Sequence, residues 1–251
     1  MTDNSTKPTL ILPGAWHPPS VFAPLISKLN THGYTKCHAL PLQATEQSEA
    51  VPSLQKDLDA LHQIVSKCID EGEDVMVVAH SWSGLIAGGG LDGLGKKERE
   101  KEGKKNGVVR IAYLCAFCPV ENVSLIQAFG GEEPEFYDVQ KPWVKVKGAE
   151  NLFYNDLAPD QPSYWASQLL PHSYATKFQG TKSVAWKKIP SSYLICEDDN
   201  AISPFVQEAM VKQCQDEGAE MDVERIKSGH SPFLSKVNET ADFLRRAAGE
   251  K

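Results

Sequence analysis

The sequence predicts an α/β fold: a doubly wound, mostly parallel sheet with an inserted helical cap. Three observations predict it. Short apolar runs alternate with amphipathic stretches through the first half of the chain. The alternation breaks from about Val120 to Lys188 and then resumes. One valine-rich run, Val75 to Ala79, passes through His80-Ser81-Trp82 into a glycine-rich segment. Strands alternating with helices imply βαβ units, right-handed crossovers and hence a parallel sheet.

The elements follow in order. Thr9 to Leu12 is a short apolar run stopped by Pro13-Gly14, the signature of a buried strand. Pro18-Pro19-Ser20 opens a helix in which Val21, Phe22, Leu25, Ile26 and Leu29 fall at helical spacing, closed near Gly33. Cys37 to Leu40 is a second strand. Leu54, Leu58, Leu61, Ile64, Val65 and Cys68 form another helical stripe that stops near Gly72. The strand before Ser81 comes next, then a buried helix over Leu85 to Leu91. The mixed-sign run Lys96 to Lys105 reads as a solvated helix end and loop, and Val108 to Leu114 as a strand. After the aromatic-rich interval come a strand at Ser191 to Cys196, a helix at Pro204 to Cys214, a strand at Met221 to Ile226 and a final helix at Pro232 to Ala248. Residues 1–119 and 189–251 are thus expected to form the core, and 120–188 the cap.

Composition narrows the class of function. The chain has 251 residues, 41% of them hydrophobic, enough for one sizeable core. Its net charge of -7 disfavours nucleic acid and anionic membrane as partners. No secretory h-region precedes Thr9, and no apolar run approaches the roughly 18 residues of a membrane span. With six cysteines and no leader, the expectation is a cytoplasmic protein with reduced thiols. Cys115-Ala116-Phe117-Cys118 has CxxC spacing, yet no second Cys/His pair stands at ligand spacing. Core or pocket thiols are expected there, with no metal and no cofactor. A monomer or a homodimer fits equally.

The chemistry is read from Ser81. A strand, a tight turn carrying one serine and a helix describe a nucleophile elbow. A serine hydroxyl is a weak nucleophile and needs a base, which in turn needs an orienting group. Of seven histidines, His230 stands after the last strand, between Gly229 and Ser231-Pro232, where a loop turns before a helix. His80 directly precedes the serine and is expected to pack beneath the turn. The acid should follow the preceding strand. Glu197-Asp198-Asp199-Asn200 offers it, with Asp199 the first choice and Asp198 the second. Glu121, after the Val108 to Leu114 strand, is a rival. Acyl chemistry also needs N–H donors for an oxyanion. Trp82, next after the serine, supplies one, and Ala15 in Pro13-Gly14-Ala15-Trp16-His17 the other. Trp16, His17, Phe117, Phe129, Trp143 and Trp165 are candidates for the pocket wall.

Four segments carry a resemblance: Leu12 to His17, Ala79 to Gly84, Tyr193 to Ile202 and Gly229 to Ser235. Together they resemble the α/β-hydrolase superfamily, and most closely its small-cap branch of plant methylesterases, hydroxynitrile lyases and related microbial esterases. The resemblance favours Asp199 as the acid, because that branch places it just before an x-small-Ile turn. Ala79 and Ser83 stand where many members have glycine; both are small enough for the turn. The lyase members carry lysine after the histidine and threonine in the oxyanion loop. Ser231 and Ala15 here argue against cyanohydrin cleavage.

These readings converge on a cofactor-independent serine hydrolase. Its expected substrate is a small, fairly hydrophobic ester, lactone or thioester. Two alternatives stand beside it: carbon–carbon cleavage or cyclisation of a biosynthetic intermediate on the same scaffold, and a ligand-binding or receptor role.

Overall fold

The computed structural model describes residues 9–45 and 48–250. Among the described residues nine strands form two sheets: β1 (Thr9–Leu12), β2 (Cys37–Ala39), β3 (Val75–His80), β4 (Val108–Leu114), β5 (Tyr137–Gln140), β6 (Trp143–Val146), β7 (His172–Ser173), β8 (Ser191–Cys196) and β9 (Met221–Ile226). The main sheet has six strands in the order β2-β1-β3-β4-β8-β9, every neighbouring pair parallel.

Period-two alternation sorts its side chains onto two faces. Leu10, Leu12, Val75, Val77 and Ala79 point into one core, and Ile11, Met76 and Val78 into another. Both cores need helices. On the first face lie α2 (Gln55–Asp70), α3 (Ser83–Gly90) and α8 (Pro204–Asp216), through Leu61, Val65, Leu85, Ile86 and Val211. On the second, α1 (Ala23–Thr31) and α10 (Val237–Ala247) pack together through Leu25, Leu29, Phe243 and Leu244. The sheet is therefore doubly wound. β3 is buried along its whole length, as a central strand covered on both sides must be. Each buried Val or Leu contributes about 1.5–3 kcal/mol.

The remaining helices are short. The charged run forms α4 (Lys96–Lys101), with none of its residues buried. Three more, α5 (Leu125–Ala128), α6 (Ala149–Phe153) and α7 (Pro162–Ser167), lie between β4 and β8. The expected final helix is two, α9 (Pro232–Ser235) and α10, because Lys236 leaves helical geometry at φ -131°, ψ 51°. No helix among the described residues is long and apolar enough to cross a membrane.

The interval expected to be a helical cap is only partly helical. It also holds an antiparallel sheet, β5-β6-β7. Tyr-Asp-Val-Gln alternates with period two, as does Val-Lys-Val in the next run, which suits strands rather than helices. The interval is tied to the main body by backbone bonds, Leu170 N–H to Trp16 O at 2.8 Å and Ser173 N–H to Ala44 O at 2.7 Å. Because the main sheet is parallel, the loops after β1, β3, β4, β8 and β9 all emerge at one edge, beneath this interval. Ligands of open α/β sheets bind at that edge.

Candidate active site

Ser81 follows β3 directly with φ 53°, a left-handed conformation that a serine adopts only when held. It is held on both sides. Its N–H donates to Leu114 O at 3.2 Å, and its carbonyl accepts from Gly84 N–H at 3.1 Å and Phe117 N–H at 3.0 Å. The turn also needs glycine at 84, where a Cβ would lie 1.8 Å from Phe117 O. Ser83 does not disturb the turn; its hydroxyl donates to Pro13 O and ties the turn to the loop after β1. In that loop a Cβ at Gly14 would stand 2.9 Å from Ser81 Cβ, so glycine is what lets the loop approach.

The structure brings Ser81, His230 and Asp199 together. His230 Nε2 lies 2.9 Å from Ser81 Oγ, and its Nδ1 lies 2.8 Å from Asp199 Oδ2. Both His230 and Asp199 are buried. Asp199 Oδ1 accepts the N–H groups of Ala201 at 2.7 Å and Ile202 at 2.9 Å, while Oδ2 also accepts from Gln207 Nε2 at 3.1 Å. The carboxylate thus has four donors and one orientation. The other two acids are elsewhere: Asp198 is exposed, and Glu121 pairs at the surface with Lys187 at 3.4 Å.

Gln207 had no signal in the sequence, being one polar residue in an amphipathic helix. It is fully buried on α8, takes Cys196 N–H on its Oε1 at 3.0 Å and sends its amide to Asp199.

His80 lies beneath the turn, and its two nitrogens join two loops. Gly14 N–H donates to its Nδ1 at 3.2 Å, and its Nε2 lies 2.9 Å from His230 O. These partners fix the Nε2–H tautomer. Burial and the neighbouring His230 push its pKa well below the ordinary histidine range. His17 is likewise neutral, pushed down to about 3 chiefly by burial. Its Nδ1 contacts Ala15 O at 2.9 Å, and its Nε2 meets the Tyr154 hydroxyl at 3.1 Å.

Ala15 and Trp82 line the same cavity as Ser81. Neither of their N–H groups has a backbone acceptor among the described residues. Trp16, Phe117 and Phe129 also line it. The other three candidates do not. His17 sits behind Ala15, Trp143 is on the partly exposed β6, and Trp165 packs edge-on against Tyr164 at 5.1 Å. The wall contains instead Phe136, Tyr137, Phe153 and Lys177. Aromatic content alone could not separate these from their neighbours, since the strand register decides which ring faces inward.

The free volume against Ser81 is about 20 Å³, room for about one water. An adjoining groove of about 300 Å³ shares Phe117, Leu125 and Phe129 with it. The rings of Phe117 and Phe129 meet edge-on, with centroids 5.8 Å apart, and both border the two spaces. The CxxC cysteines are both buried free thiols, and burial pushes both well above the usual thiol range. That suppresses the thiolate which redox or metal chemistry requires.

A parallel sheet with this turn at its C-terminal edge defines an α/β hydrolase. The alpha/beta hydrolase family model matches residues 9–243, and the chain belongs to that family. It is 30% identical over 250 residues to "Alpha/beta hydrolase nvfD" of Aspergillus novofumigatus, covering 97% of this chain and 98% of that one. It is 28% identical over 251 residues to "Probable hydrolase R7" of a Phoma species, covering 97% and 99%. Among solved structures, polyneuridine aldehyde esterase superposes with a TM-score of 0.73 at 17% identity, over 96% of this chain and 99% of that one. At that identity the likeness is one of fold.

Proposed function

We propose that the protein is a serine hydrolase that cleaves an ester, lactone or thioester of a small hydrophobic substrate through an acyl-enzyme. One observation carries the reading: the unbroken chain Ser81 Oγ–His230–Asp199, with contacts of 2.9 and 2.8 Å, opening into an aromatic cavity. Ser81 Oγ attacks the carbonyl carbon and passes its proton to His230 Nε2. Asp199 stays ionised; it fixes the imidazole tautomer and stabilises the imidazolium. Ala15 and Trp82 N–H groups receive the developing oxyanion, and one such donor is worth about 2.7–4 kcal/mol of barrier. His230 then returns the proton to the leaving alcohol or thiol. Water, activated by the same imidazole, releases the acid. These steps assign no role to a metal or cofactor.

The test is a serine-directed phosphonate together with a panel of esters and lactones. Labelling at Ser81, turnover of panel members and loss of both in Ser81→Ala are the expected results. Turnover retained by Ser81→Ala would overturn the nucleophile assignment. Labelling without turnover of any panel member would overturn the hydrolytic one and leave non-hydrolytic chemistry or ligand binding.

A further inference from the structure

Lys177 is the one residue of a charged type among the described residues that line the Ser81 cavity, and the steps above leave it unused. It is fully buried, and its Nζ has no hydrogen-bond partner among the described residues. The amine lies between two indole rings, 4.8 Å from the centroid of Trp16 and 4.7 Å from that of Trp82. Those rings belong to the residue after one proposed oxyanion donor and to the other donor itself. The amine, Ser81 and the two proposed donors thus border one cavity.

A buried polar group left unsatisfied costs stability, and a charged one costs more. The indole faces offset part of that for an ammonium. Asp57 does not complete the amine: its oxygens accept the N–H groups of Gln43 and Ala44, and it forms no ion pair with Lys177 among the described residues. His172, packed against Trp82 at 4.5 Å between centroids, is pushed by burial toward its neutral form. Burial also drives Lys177 toward the neutral amine, which still has two N–H groups to donate. The remaining direction is the cavity, whose other walls are largely aromatic.

We propose that Lys177 is a specificity-determining residue that donates to a second acceptor oxygen on the substrate, beside the scissile carbonyl. Preferred substrates are then oxygen-bearing esters or lactones, such as keto esters, rather than esters with plain hydrocarbon chains. The inference deepens the hydrolase reading and rests on it for the identity of the reacting centre.

Two matched ester pairs test it: methyl acetoacetate with methyl 3-methylbutanoate, and acetonyl acetate with isobutyl acetate. The first pair places the second oxygen on the acyl side and the other on the alcohol side. kcat/KM is measured by pH-stat for the wild type, Lys177→Met, Lys177→Leu and Lys177→Gln, with folding followed by circular dichroism. For at least one pair, the keto-to-hydrocarbon ratio falls tenfold or more in Lys177→Met and Lys177→Leu. The loss appears mainly in KM, and Lys177→Gln, which keeps a donor, restores part of it. A ratio within twofold of wild type in every folded variant, for both pairs, overturns the proposal.

A binding arm separates this from the hydrolase reading. Trp16 and Trp82 flank the amine, so tryptophan fluorescence of Ser81→Ala is titrated with methyl acetoacetate. A response lost in Ser81→Ala/Lys177→Met supports recognition even if the wild type cleaves none of the four esters. Equal titrations, including none in either protein, overturn it.

Discussion

His80, the residue before Ser81, contacts the backbone carbonyl of His230 through Nε2 at 2.9 Å while its Nδ1 takes the N–H of Gly14 at 3.2 Å. One buried neutral imidazole thus spaces the loop of the proposed base against the loop of the proposed oxyanion donor. Replacing it with phenylalanine keeps the ring and removes both bonds. His80→Phe is expected to fold, to lose about 1–3 kcal/mol of stability, and to lower kcat more than it raises KM. Urea denaturation and steady-state kinetics measure the two effects; an unchanged kcat would deny the spacing role.

The acid can be tested by contrast. Asp199→Asn retains size but disturbs the imidazole tautomer, with an expected loss of about 10⁴-fold in kcat. Glu121→Gln, at a surface ion pair, should stay within twofold. Equal losses in the two variants would contradict the geometry.

Gln207 acts through Asp199. Gln207→Leu should lower kcat/KM about tenfold, the scale of one lost orienting hydrogen bond. It should also displace the acid limb of the kcat/KM profile, because the imidazolium loses part of its support. A purely structural effect would lower thermal stability and leave that limb in place.

Acid should destabilise the fold. His17 is held at about 3, and His80 and His172 well below the ordinary value, all chiefly by burial. In the unfolded chain each titrates near about 6.5. Below that pH the unfolded chain binds protons that the folded chain excludes, so stability present above it is lost as pH falls. The slope is about 1.4 kcal/mol per pH unit for each such histidine. Asp57, pushed up to about 6 by burial, works in the opposite sense, because the folded state takes its proton first. Three histidines outweigh one carboxyl. The urea midpoint should fall between pH 7 and pH 5, and His17→Gln should flatten the fall. A midpoint that rose on acidification would refute this.

Gly84→Ala should fail to fold or lose several kcal/mol, since a Cβ there would stand 1.8 Å from the Phe117 carbonyl. Expression and thermal melting decide it. A melting temperature within a few degrees of wild type would show that the turn can open.

The sequence carried the main sheet because its central strands, β1, β3 and β4, are largely apolar runs with turn residues near their ends. Ser81 was legible because it follows such a strand at once, and His230 because it stands between Gly229 and Ser231-Pro232 in the loop after the last strand. Asp199 needed more: three adjacent carboxylates look alike until backbone N–H groups from Ala201 and Ile202 single one out. The antiparallel sheet between β4 and β8 was missed because its strands have four, four and two residues, too short to stand out among many aromatics. Lys177 and Gln207 left no trace in the sequence. Each is a lone polar residue whose importance comes from burial.

The space beside Ser81 is nearly filled before any ligand arrives. Admitting one requires side chains of its wall to move, and Phe117 and Phe129 border both this space and the groove, so the empty and occupied sites differ in shape as well as in content. That movement opposes binding by a fixed amount, whatever the ligand. A short ligand fills only the inner space, whereas a longer one also buries surface in the adjoining groove. Affinity across a homologous series should therefore rise in a step, at the length that first reaches the groove.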